Sequence, residues 1–169
     1  VSSAELQNIT AATLTFEKTG QAIFVDGVTA ANSDNIGAMI LNSERDTLFQ
    51  GNDSTFNALT VNSKAAVDVQ TGITTDSGSM TLNADIDANG GTLDRIQFKS
   101  TPTLTSAGDL TLNSATSGIQ ATGSVHMYTA GTLNVNGDFN GTSVANFNAD
   151  NGINLNGDLT STGVLTLNA

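Results

Sequence analysis

A four-residue pattern of apolar, polar, apolar and Asn returns along the whole chain and constrains its fold more than any other feature. It reads Met39-Ile40-Leu41-Asn42, Leu59-Thr60-Val61-Asn62, Met80-Thr81-Leu82-Asn83, Leu110-Thr111-Leu112-Asn113, Leu133-Asn134-Val135-Asn136 and Ile153-Asn154-Leu155-Asn156. Leu14-Thr15-Phe16-Glu17 is a degenerate early copy. Successive copies begin 25, 20, 21, 30, 23 and 20 residues apart. In the last third the repeat is strict: Ile119, Phe139 and Leu159 are 20 apart, as are Val125, Ala145 and Leu165, and Met127, Phe147 and Leu167. Each repeat therefore carries three short segments of period-two alternation, the signature of strands with one face inward. Asn-Gly pairs at Asn89, Asn136, Asn140, Asn151 and Asn156 supply residues that tolerate left-handed corners.

Three strands in about 20 residues fit one coil of a parallel β-helix. Hairpins would pair neighbouring strands and would not require apolar columns at a 20-residue spacing. In a coil, residue i stacks on residue i+20 at about 4.8 Å. The expected fold is all-β, a right-handed parallel β-helix (β-solenoid) with about 20 residues and three short strands per coil. The handedness follows from the bias of parallel crossover connections. Seven or so coils give a rod roughly 35 Å long.

The chain of 169 residues is expected to be one domain, 1–169, with 1–12 as an N-terminal cap. The stretch 85–108 reads as an irregular insertion or loop, because the offset from Met80 to Leu110 is too long for one coil. Composition narrows the classes further. Cys is absent, which excludes a disulfide scaffold, a Cys-based zinc site and a Cys nucleophile. Five Lys and Arg against 16 acids, a net charge of −11, argue against nucleic-acid binding. No apolar run approaches the roughly 18 residues of a membrane-spanning helix, so no membrane insertion is expected. The stretch Leu165–Ala169 stops inside an apolar strand. Solenoid ends need caps, so the sequence predicts a longer parent chain, docking of another copy end to end, or a cap of unrecognised form.

The segments Gly108-Asp109-Leu110-Thr111-Leu112-Asn113, Asn151-Gly152-Ile153-Asn154-Leu155-Asn156-Gly157-Asp158-Leu159 and Gly163-Val164-Leu165-Thr166-Leu167-Asn168 resemble filamentous-haemagglutinin repeats. The resemblance covers about residues 108–169 well and 39–84 more loosely. It implies a segment of a large bacterial secreted or surface protein built on a right-handed β-helix. The roles it implies are adhesion, biofilm formation and contact-dependent toxin delivery.

Asn42, Asn62, Asn83, Asn113, Asn136 and Asn156 form one column, read as a structural amide ladder at a corner, each side chain bonding to the next coil. Ile119, Phe139, Leu159, Met127, Phe147 and Leu167 are read as core columns. Asp85, Asp87 and Asp94 lie around Asn89-Gly90-Gly91, and oxygen ligands near glycine turns suit calcium. The favoured reading there is a solvated acidic loop, so no cofactor is expected beyond that calcium option. Alternation around Val125 and Met127 turns His126 and Tyr128 outward, with no nucleophile beside them. No catalytic residue is assigned, and the chain is read as not an enzyme.

The leading expectation is a structural or adhesive β-solenoid segment of a bacterial cell-surface or secreted protein, acting as a stiff stalk or surface-presenting fibre. The alternatives are a self-assembling extracellular filament subunit joined through open coil edges, and a polysaccharide-binding or polysaccharide-cleaving β-helix domain. Expected partners are flanking repeats or other copies end to end, and glycans or proteins on host or neighbouring cells.

Overall fold

The structure, a computed structural model, describes residues 3–91 and 93–169. The chain winds through seven coils. The first holds α1 (Ser3–Leu6), β1 (Ala11–Lys18), β2 (Ile23–Val25) and α2 (Ala30–Ser33). The second holds β3 (Ile36–Ser43), β4 (Thr47–Phe49) and β5 (Ser54–Phe56), and the third β6 (Leu59–Ser63), β7 (Val67–Val69) and β8 (Ile73–Thr75). The fourth holds β9 (Met80–Ala84), β10 (Ile96–Phe98) and β11 (Thr103–Ser106), and the fifth β12 (Leu110–Ser114), β13 (Ile119–Ala121) and β14 (Val125–Thr129). The sixth holds β15 (Leu133–Asn136), β16 (Phe139–Gly141) and β17 (Ala145–Ala149), and the seventh β18 (Ile153–Leu155), β19 (Leu159–Ser161) and β20 (Leu165–Asn168).

Each strand pairs in parallel with the equivalent strand one coil away. The result is three sheets: A (β1-β3-β6-β9-β12-β15-β18), B (β2-β4-β7-β10-β13-β16-β19) and C (β5-β8-β11-β14-β17-β20). The chain is therefore a parallel β-helix. Register joins Ile119 to Phe139 to Leu159, and Met127 to Phe147 to Leu167. Ile119, Phe139, Met127 and Phe147 are buried, with the Phe139 and Phe147 rings edge to face at 5.2 Å. Leu159 is half-buried, and Leu167, in the last coil described, is 45 % exposed.

Two coils depart from the common length. In the first, α2 stands where sheet C would have a strand, and it lies against β5. Ser33 donates to the Thr55 carbonyl at 2.9 Å, so a helical turn occupies that strand edge. α1 lies against α2 and buries Leu6. The expected cap over 1–12 falls partly on residues 1 and 2, outside the described residues. In the fourth coil the described residues 85–91 and 93–95 are irregular, a shorter stretch than the expected 85–108. Residues 96–106 form two ordinary strands, β10 and β11, with Ile96, Phe98 and Leu104 fully buried. The extra length sits at one corner, between sheets A and B.

Corners are closed by short polar side chains facing inward. Thr75 donates to the Gly78 carbonyl at 2.7 Å, Ser106 to that of Asp109 at 3.0 Å, and Ser63 to Thr47 at 2.7 Å. Such bonds give the inward hydroxyls partners at the corners; the Gly78 and Asp109 carbonyls also accept the backbone N–H of Gly108 at 3.1 Å and Met80 at 2.9 Å. Stacking also leaves no room for side chains at some corners. A Cβ on Gly123 would stand 1.6 Å from the Ser100 carbonyl oxygen.

Candidate functional site: the outer faces of the coil

Apolar columns fill the interior of the middle coils, so the polar side chains that could meet a partner lie on the outer faces and corners. On sheet A the six Asn stand at the fourth position of the four-residue pattern, facing out near the strand ends. Their amides bond in one direction. Asn62 Nδ2 donates to Asn42 Oδ1 at 2.9 Å, Asn83 to Asn62 at 2.7 Å, and Asn113 to Asn83 at 2.5 Å. Asn136 donates to Asn113 at 2.6 Å and Asn156 to Asn136 at 2.7 Å. At the other end Asn42 donates to the Glu17 carboxylate at 3.4 Å. Every nitrogen of the column donates toward the first coil. A second run on the same face pairs Asn154 with Asn134 at 2.9 Å. The donors and acceptors of this face are largely consumed within it.

The acidic side chains have a structural assignment that sequence inspection missed. Six aspartates accept a backbone N–H from the following coil. Asp26 accepts from Asn52 at 2.9 Å, Asp46 from Ala66 at 3.1 Å, and Asp53 from Gly72 at 2.6 Å. Asp85 accepts from Thr116 at 3.0 Å, Asp109 from Thr132 at 2.8 Å, and Asp138 from Asp158 at 3.0 Å. These are charge-assisted bonds to corner amides that have left the sheet ladders. Much of the acidity thus closes corners. Four of the six, Asp26, Asp53, Asp109 and Asp138, stand beside Gly, Asn or Ser, whereas Asp46 and Asp85 do not.

The three candidate calcium ligands have separate engagements. Asp85 is fully buried and bonded to the Thr116 amide and hydroxyl. Asp87 is exposed and accepts from Asn89 at 2.6 Å. Asp94 folds back over Gly91. Among the described residues no group of three or more His, Cys, Asp or Glu side chains is placed to hold a metal ion.

Sheet B carries an ion pair on its outer face, Lys99 with Asp68, the latter only 8 % exposed. At the corner between sheets A and B, Lys64 meets Glu44 at 3.1 Å. The Lys64 hydrogen bond, then its charge, then the Gly20 N–H hold the Glu44 carboxyl below its ordinary range.

On sheet C, His126 and Tyr128 face out from β14. Asn146 Nδ2 and His126 Nδ1 lie 2.9 Å apart, within hydrogen-bonding distance. Beside Tyr128 an open groove of about 430 Å³ runs across four coils. A second, apolar cavity of about 560 Å³ opens at the first coil between Leu6, Phe16, Ile23, Val25 and Phe56. No described helix is long and apolar enough to cross a membrane.

Comparison of the chain with protein-family models, with curated proteins and with solved structures finds no match.

Proposed function

We propose that this chain is a structural β-solenoid segment of a bacterial secreted or cell-surface protein, a stiff spacer that carries other parts of its parent away from the cell. The observation that supports the reading is the continuity of bonding along the axis. Two parallel ladders run through all seven coils and a third through six, and the amide ladder and corner carboxylates add side-chain bonds in the same direction. Bending such a stack lengthens one sheet's bonds while compressing another's, so three ladders around a packed core resist it. In this reading the role is mechanical and non-catalytic, and adhesion arises from polar groups repeated on the outer faces. The absence of Cys suits an extracellular setting, where a free thiol would be oxidised.

The test is immunogold labelling of intact producing cells with antibodies raised against the folded chain. Labelling of the surface or of shed material is the expected result. Labelling that requires permeabilised cells refutes the surface assignment.

A further inference from the structure

Sheet C differs from sheet A in what its outward side chains do. On sheet A the amides bond to one another from coil to coil. Sheet C has two such coil-to-coil bonds, Asn146 with His126 and Asn168 with Asn148, but most outward polar side chains of the groove beside it are unpartnered among the described residues. One wall of the groove is the outward column Thr74, Thr105, Tyr128 and Asn148, in register across four coils. The corner residues Asp76, Ala107, Ala130 and Asp150 line the groove beside that column. Each corner residue's N–H donates to the coil before it, Ala107 to Thr75 at 2.9 Å and Ala130 to Ser106 at 3.0 Å. Two alanines in the middle leave the hollow, and a carboxylate stands at either end. Three coil steps separate Asp76 from Asp150, about 14 Å along the axis.

Tyr128, the only Tyr of the chain, is 44 % exposed on this wall. Among the described residues its hydroxyl, the hydroxyls of Thr74 and Thr105, and the carboxylates of Asp76 and Asp150 have no hydrogen-bond partner. Asn148 Oδ1 accepts from Asn168 at 2.7 Å, while Asn148 Nδ2 has no acceptor. An exposed aromatic face, a free amide donor, two hydroxyls and two bracketing carboxylates thus line one elongated hollow.

We infer that this groove binds a neutral carbohydrate chain lying along the axis of the coil. A pyranose ring offers an apolar C–H face that covers an aromatic ring, and a rim of hydroxyls that bond to carboxylates, amides and hydroxyls. Asp76, Asp150 and the net charge of −11 repel uronates and sulfated glycans, which selects for uncharged sugars. The groove's volume lies in the range of small-ligand sites. The inference does not depend on where the protein resides, so it stands or falls apart from the spacer reading.

The chain contains no Trp, so its intrinsic tyrosine emission reports on Tyr128 alone. The experiment titrates the full chain with cellohexaose, chitohexaose and maltohexaose, with polygalacturonate as the anionic control, and repeats the titrations by calorimetry. The expected result is a saturable emission change with at least one neutral hexaose, at a dissociation constant below about 1 mM. Polygalacturonate is expected to bind at least about tenfold more weakly. Tyr128→Ala should weaken binding by about tenfold or more, and Asp150→Asn by about threefold or more. Gln97→Ala, on sheet B, should leave affinity unchanged. No saturable signal with any neutral hexaose overturns the inference. So does parental affinity in both Tyr128→Ala and Asp150→Asn, or equal affinity for polygalacturonate.

Discussion

Replacing Asn113 by Asp tests whether the amide ladder contributes to stability through its direction. Asn113 donates from Nδ2 to Asn83 Oδ1 at 2.5 Å and accepts from Asn136 Nδ2 at 2.6 Å. An ionised carboxylate in its place only accepts. It keeps the Asn136 bond, loses the bond to Asn83, and sets an anionic oxygen against the Asn83 carbonyl. One lost bond of about 1 kcal/mol plus the acceptor–acceptor contact predicts a loss of about 1–2 kcal/mol at neutral pH. Protonation restores a donor, so the introduced carboxyl has a folded-state pKa raised above its unfolded value of about 3.9. A raised folded pKa means a contribution fully present below about pH 3.9 and lost as pH rises through the folded value. The destabilisation of Asn113→Asp relative to the parent should therefore shrink on acidification. Asn113→Ala, which loses both bonds, should show a difference that does not change with pH. The assay is urea unfolding of parent and both variants from pH 7 to about pH 3.5, followed by far-UV circular dichroism. Comparison with the parent at each pH cancels the titration of its own corner carboxylates. A pH-independent difference for Asn113→Asp, or parental stability at pH 7, would refute the directional ladder.

Phe147→Ala removes a fully buried ring that meets Phe139 edge to face and should cost about 3–5 kcal/mol in the same unfolding assay; a loss below about 1 kcal/mol would contradict the core packing. Gly123→Ala forces a Cβ toward the Ser100 carbonyl oxygen and should cost about 1–3 kcal/mol or more, with a neutral result showing that the corner can move. Lys64→Met removes the largest influences holding the Glu44 carboxyl low, so a carboxyl NMR titration should find its pKa moved up. The sign follows: the Glu44 contribution is present above its unfolded pKa of about 4.3 and lost as pH falls through the depressed folded value. An unchanged titration curve in Lys64→Met would show that the pair does not form in solution.

The repeat was legible because a solenoid writes its tertiary contacts into its sequence. Ile119, Phe139 and Leu159 stand at equal spacing because each packs on the next. Legibility failed where the spacing slipped. Ile96 and Phe98 looked like part of an irregular insertion, since the offset of 30 from Met80 to Leu110 gives no sign of which corner holds the extra residues. The structure puts them between β9 and β10, where a chain leaving sheet A can lengthen without disturbing the columns of sheets B and C.

What the sequence determined by itself is the set of columns: which residues face inward, which Asn share a face, and that strands recur three to a coil. Alternation and period are properties of the chain's own order, and they survive without knowledge of any corner. What only the tertiary structure decided is how groups about 20–30 residues apart meet at those corners. That Asp46, Asp53, Asp109 and Asp138 hold backbone amides of the following coil depends on corner geometry. So do the buried setting of Asp85, the helical turn of α2 over β5, and the hollow between Tyr128, Asp76 and Asp150. Strand positions repeat with a fixed rise, whereas corners differ in length and backbone angle, and a side chain's partner there is known only once the coils are stacked.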